Sequence, residues 1–252
     1  MSLPVRPLLG LDFTHATAGQ AAAALAARPA AAPFGYVVTP NADHLVRLAR
    51  QPDLAALYCG ALMCLLDSRV VAGGARLLGL HPPAVAPGSD LVAEIIARHL
   101  HPGERITVIG LAPRCLPALS ARTGIAPPAH FDPPRGLADN PVALADCVAF
   151  ARAHPARFTM LAVGAPQQER LAAAIAAEPG LHGVGLCIGA GLDFAAGAMP
   201  RAPVWMQGAG LEWLHRLVRE PARLGPRYLR DDPAIFALLL RARLAAKVKT
   251  AR

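Results

Sequence analysis

The sequence predicts an α/β protein, a mostly parallel sheet with helices on both faces, followed by a helical C-terminal appendage. Three observations carry this prediction. Short apolar runs alternate with stretches of helical periodicity, which is the pattern of successive βα units. The runs close on Thr-Pro, Asp or Gly, residues suited to the turn between a strand and the next helix. From Pro200 onward the apolar runs stop and only helical patterns remain, punctuated by Pro203, Pro221, Pro226 and Pro233. The expected division is a catalytic α/β core over residues 1–199 and a basic helical appendage over 200–252.

Tyr36–Thr39 reads as the first strand and is followed by a helix over Ala42–Arg50. Leu62–Leu66 is the second, ending at Asp67, with a helix over roughly Val70–Leu78 behind it. Ser89 is suited to cap a helix running through His99. Arg105–Ile109 is the third strand, closing on Gly110. A Pro-rich loop over Ala126–Arg135 precedes a helix over Pro141–Ala153. Phe158–Val163 is the fourth strand, and Pro166 can open a helix over Gln167–Ala177. Val184–Ile188 is the fifth, entering Gly189-Ala190-Gly191.

Composition narrows the classes. The 252 residues suffice for a sizeable core, and the 54% apolar content is largely alanine. The longest hydrophobic runs span about seven residues, well short of a membrane-crossing helix. The N-terminal residues show no basic segment followed by an apolar one, so no signal peptide is expected. Five unclustered cysteines without a CxxC fit reduced, buried thiols. Nine histidines form no HExxH and the carboxylates form no DxD, so no metal is expected. The missing GxGxxG argues against an NAD-dependent oxidoreductase.

Charge is unevenly spread. The chain carries +8, and the segment from Arg201 to Arg252 holds +7 of it. Arg216, Arg219, Arg223, Arg227 and Arg230 would share one face of a continuous helix, with Leu211, Leu214, Leu217, Val218 and Leu224 interleaved. A basic amphipathic tail on a near-neutral body suits an anionic partner, and equally a solvated charged face. An aromatic content of 5% gives little support to stacking on single-stranded nucleic acid, so no nucleic acid is expected.

In parallel sheets of this type ligands gather at the carboxyl ends of the strands. Those ends carry Thr39 and Asn41, then Asp67, then Gly164 with Gln168 and Glu169, then Gly189 to Asp193. Asp67 is placed to act as a general base, although an aspartate there also serves as a helix cap or turn residue. Thr39 and Asn41 suit hydrogen bonds to a sugar or base, or simply a strand-to-helix turn. Gly88-Ser89-Asp90 before a helix can offer backbone amides to phosphate. Gln168 and Glu169 can read hydroxyls, and Glu169 equally suits a first helical turn.

Taken in order, these blocks resemble the WecG/TagA/CpsF glycosyltransferases, glycosyltransferase family 26. The matching segments are Thr39-Pro-Asn-Ala-Asp-His44, Asp67, Gly88-Ser-Asp-Leu91, Gly164-Ala-Pro-Gln-Gln-Glu169 and Gly189–Gly197. The most specific run goes from Arg201-Ala-Pro-Val-Trp205 through Gly210-Leu-Glu-Trp213, Arg216 and Arg219-Glu-Pro221 to Arg227-Tyr228. The resemblance spans about residues 8–240.

It implies an inverting, metal-independent transferase with a Rossmann-like core and no cofactor. The donor would be a nucleotide-diphosphate sugar, a UDP-linked hexose, N-acetylhexosamine or uronic-type sugar. The acceptor would be a polyprenyl-diphosphate-linked saccharide at the cytoplasmic face of the membrane, and some members form homo-oligomers. By matched position Asp67 is the general base, with Thr39 and Asn41 beside it. Gly88, Ser89, Asp90, Gly164, Gln168, Glu169 and Asp193 fall to the donor. Arg216 and Arg223 fall to the acceptor diphosphate and the anionic membrane surface. Three departures stand out. Ser68-Arg69 follows Asp67 where many members have Gly, and Ala84 stands where many have Arg. Pro226 replaces an appendage arginine, with Arg227 as its substitute, and can break the helix so that the arginine face divides between two short helices. A non-catalytic basic membrane- or nucleic-acid-binding module is the alternative reading.

Overall fold

The computed structural model describes residues 3–101 and 103–250, with the side chains of Ala138, Val204, Arg223, Arg227 and residues 248–250 outside the description. Eight strands run in chain order: β1 (Val5–Leu8), β2 (Leu11–Thr14), β3 (Gly35–Val38), β4 (Met63–Cys64), β5 (Thr107–Gly110), β6 (Ala129–Phe131), β7 (Phe158–Ala162) and β8 (Val184–Cys187). The first two form an antiparallel hairpin joined by Leu9-Gly10. The other six form one parallel sheet in the order β4-β3-β8-β7-β5-β6.

The expected parallel sheet is present with one strand more than the five read from sequence. Strands buried on both faces read as unbroken apolar runs, and every residue of β3, β5 and β8 is buried. The added strand β6 lies at the sheet edge in the Pro-rich loop, and all three of its residues are half-buried.

The helices of the core are α1 (Ala18–Ala26), α2 (Ala42–Arg50), α3 (Ala55–Cys59), α4 (Arg69–Leu77), α5 (Gly88–Arg98), α6 (Leu116–Thr123), α7 (Pro141–Ala153), α8 (Gln167–Ala176) and α9 (Gly191–Ala195). They divide the hydrophobic interior between the two faces of the sheet. Phe13, Val38, Leu66, Ile109 and Leu161 belong to one cluster, and Val37, Leu65, Val108, Met160 and Leu186 to the other. The alternation of neighbouring strand residues between the clusters is the two-residue period of a pleated strand.

Two local expectations are corrected. Ser89 does not cap α5: the helix starts at Gly88 behind Pro87, without a side-chain cap. The Gly88 N–H, free of any intrahelical partner, is taken by the Asp67 carboxylate at 3.2 Å. The five arginines do not share one helix. The chain after residue 200 forms α10 (Val204–Gly208), α11 (Glu212–Arg219), α12 (Pro221–Pro226), a wide turn over Arg227–Asp231, and α13 (Ala234–Thr250). Proline at 221 restricts the residue before it, and Glu220 leaves the helical region at φ −130°, ψ 56°. The helix α13 lies against α2 and α4, where Ile235 and Leu239 join the core of Leu45, Val46, Val71 and Ala75.

Candidate active site

The carboxyl ends of β3, β4, β7 and β8 and the helices α11 and α13 enclose a cavity of about 520 Å³. Its floor is polar and comes from the strand ends. Its outer wall, with Trp213, Tyr228 and Phe236, comes from the C-terminal helical segment.

Asp67 sits on that floor. Its N–H donates to the Pro40 carbonyl at 3.0 Å, and its Oδ2 accepts from Gly88 N at 3.2 Å. Burial pushes its carboxyl up to about 7. The Gly88 N–H and the Arg216 guanidinium oppose that rise, and the Glu212 and Asp90 carboxylates add to it. A carboxylate poised near neutrality at a cavity floor can take a proton from a hydroxyl at physiological pH.

Thr39 and Asn41 line the same cavity. The Thr39 hydroxyl donates to the Cys187 carbonyl at 2.9 Å, tying the ends of β3 and β8 together. Asn41 caps α2: its Oδ1 accepts from His44 N at 3.4 Å and lies 2.7 Å from His44 Nδ1. Gln168 also lines the cavity, yet both ends of its amide are engaged by protein. Its Oε1 accepts from Gly189 N at 2.9 Å and its Nε2 donates to Glu169 Oε1 at 2.8 Å. Gln168 therefore braces the Gly189 loop rather than offering its amide inward.

Glu169 stands behind this layer, 1% exposed and outside the cavity lining. Its Oε1 is 3.9 Å from His44 Nε2, and its Oε2 is buried without a hydrogen-bond partner. Burial raises its carboxyl above the usual range, against the Gln168 hydrogen bond. Ser89 and Gly164 line the cavity, while Gly88, Asp90 and Asp193 lie just outside its lining. Arg201 holds both Asp90 and the Ser89 hydroxyl. Arg216 lines the cavity from α11, its guanidinium 5.8 Å from the centre of the Phe194 ring. The side chains of Arg223 and Arg227 lie outside the described residues.

Sequence reasoning did not assign site roles to Arg47, Arg69 or Glu212, all of which line the cavity. Arg69 follows the aspartate by two positions, a signal present in the sequence. Glu212 and Arg47 become neighbours of the site only through tertiary packing. Among the described residues no three His, Cys, Asp or Glu side chains gather as a metal site, and no helix is long and apolar enough to cross a membrane.

The model of the glycosyl transferase WecG/TagA/CpsF family matches residues 6–249, nearly the whole chain. The chain belongs to the WecG/TagA/CpsF family, glycosyltransferases of cell-envelope polysaccharide synthesis.

Proposed function

We propose that the enzyme transfers a sugar, with inversion, from a nucleotide-diphosphate donor to a polyprenyl-diphosphate-linked saccharide. The observation that carries this reading is Asp67, poised near neutrality on the cavity floor. The acceptor O–H gives its proton to the Asp67 carboxylate. Its oxygen bonds to the anomeric carbon from the face opposite the diphosphate. The bond from that carbon to the diphosphate oxygen breaks, and the nucleotide diphosphate leaves with the electron pair. Cationic side chains in the cavity offset the charge that develops on the leaving group.

A UDP-linked hexose, N-acetylhexosamine or uronic-type sugar is the proposed donor. The basic C-terminal segment supports a peripheral position at the cytoplasmic face of the membrane. Exposed Arg219, Arg230, Arg241 and Lys247 lie among exposed Val218, Leu229, Leu240 and Leu244, a combination that suits an anionic lipid surface. The reading is tested by screening nucleotide-diphosphate sugars for transfer to short-chain polyprenyl-diphosphate saccharides. Release of nucleotide diphosphate from none of them would reject it.

Two further outcomes follow. With Asp67 at about 7, the base-competent fraction falls tenfold per pH unit below that point. kcat/KM should therefore climb with pH and level off above about 7. A profile flat from pH 5.5 to 8 would remove Asp67 from the role. Transfer should also persist in EDTA, because the sequence has no DxD pair to hold a metal with the donor diphosphate. Loss on chelation with recovery on adding Mn²⁺ or Mg²⁺ would contradict this.

A further inference from the structure

The arginines around the cavity differ in what they already hold. Arg47 is paired with Asp43 at 2.8 Å. Arg201, beside the start of α5, holds Asp90 and the Ser89 hydroxyl. Two lining arginines, Arg69 and Arg216, make no ion pair with any described residue. The Nε of Arg216 is buried without a hydrogen-bond partner. Arg216 acts on Asp67, whereas Arg69 is not among the charges that shift it.

The backbone around Arg69 is fixed. Ser68 caps α4 by accepting from Val71 N at 3.1 Å, which pins the chain between Asp67 and the first helical residue, Arg69. The Arg69 stem then packs on Gly210, just after α10. A Cβ at Gly210 would lie 3.2 Å from Arg69 Cβ, and the glycine adopts φ +74°. The positive φ and this tight approach both favour glycine where the C-terminal segment meets the stem. Arg69 thus emerges where the strand-end floor meets the helical wall, with Arg216 in the same cavity.

Two guanidinium forks without carboxylate partners, beside a general base, match an anion with two charged centres. A lysine would present a point charge at either place. Arginine presents paired N–H donors that fit the oxygens of a phosphate.

We propose that Arg69 joins Arg216 in seating a pyrophosphate group beside Asp67. The proposed donor and the proposed acceptor both carry that group. Which of them Arg69 meets rests on the glycosyl-transfer reading; the affinity for pyrophosphate does not.

The test is calorimetric titration of the full chain with inorganic pyrophosphate, UDP and uridine, for wild type, Arg69→Ala and Arg69→Lys. Arg69 is exposed and without side-chain partners, so both variants should fold, which circular dichroism checks. Arg69→Ala should weaken pyrophosphate by about 10- to 100-fold, the range expected for lost hydrogen bonds to a charged group, and UDP by a similar factor where the donor diphosphate is the group it meets. Uridine binding should not change. Arg69→Lys should recover part of the loss.

Steady-state kinetics then separate the two sources. A raised KM for the nucleotide sugar assigns Arg69 to the donor diphosphate. A raised KM for the lipid-linked acceptor, with UDP affinity kept, assigns it to the acceptor. If wild type does not bind pyrophosphate, the proposal fails. It also fails if Arg69→Ala leaves pyrophosphate, UDP and both KM values within about twofold, or weakens uridine as much as UDP. Absence of transfer from every nucleotide sugar would reject the glycosyl-transfer reading while leaving the pyrophosphate result standing.

Discussion

Asp67→Asn is expected to fold, to bind donor and to lose transfer by about 10²- to 10⁴-fold, the usual cost of removing a general base. The substitution keeps size, and the amide oxygen can still accept from Gly88 N, so the floor of the cavity is preserved. What disappears is the group that receives the proton. The loss should fall on kcat, with donor KM nearly unchanged, because the proton moves only in the transition state.

Stability gives an independent check on the same side chain. The Asp67 carboxyl is held near 7 against an ordinary 3.8, so between those values the folded chain keeps a proton that the unfolded chain releases. This contribution to stability is fully present below about 3.8 and is lost as pH rises towards 7. Asparagine has no such loss. At pH 8 the variant should melt at or above the wild-type temperature, whereas near pH 3.8 the two should converge. Transfer within threefold of wild type, measured with a matched acceptor, would show that another group takes the proton.

Gly110→Ala is expected to damage the fold severely with a single added methyl. Gly110 ends β5 at φ +89° and faces Ala162 of β7. A Cβ there would stand 2.7 Å from the Ala162 carbonyl carbon and oxygen and 2.9 Å from Val163 Cγ1. The obstacle is mostly backbone inside the sheet, so no side chain can swing aside to make room. Left-handed strain on a non-glycine residue costs about 1–2 kcal/mol, and the clash adds to it. We expect a loss of about 3 kcal/mol or more, or about 10 °C in Tm for a chain of this size. Thermal unfolding followed by circular dichroism decides it. A Tm within about 3 °C of wild type would mean that β5 and β7 separate easily.

The two faces of the sheet explain which elements were legible in the sequence. The central strands announce themselves because their neighbours bury them on both sides, as in Tyr36-Val-Val38 and Phe158–Leu161. The edge strand Ala129–Phe131 has no such run and sits among prolines. Helix α1 is mostly alanine, so its buried side has little contrast with its exposed one. The strand-end rule gathered Thr39, Asn41, Asp67 and Gln168 around one cavity. It could not show that Gln168 faces Gly189 or that Glu169 turns away from the cavity, because consecutive helical residues look alike in a sequence. The arginine stripe is interrupted at Pro221 and at Pro226, the second of which the sequence already marked as a helix breaker; the spacing of the charges did not reveal the break at Pro221.

The pairing of β3 with β8 has a consequence for the birth of the molecule. Thr39 and Cys187, joined at the ends of these strands, are 148 residues apart in the chain. At about 5–20 residues per second, a ribosome needs about 7–30 s to make the intervening stretch. Throughout that interval β3 has at most β4 beside it, and its other edge presents unpaired N–H and C=O groups in an apolar strand. Helices in the growing chain can form at once, but that edge has to wait for a segment not yet made. The arrival of Val184–Cys187, rather than helix formation, sets the moment at which that edge of β3 is covered.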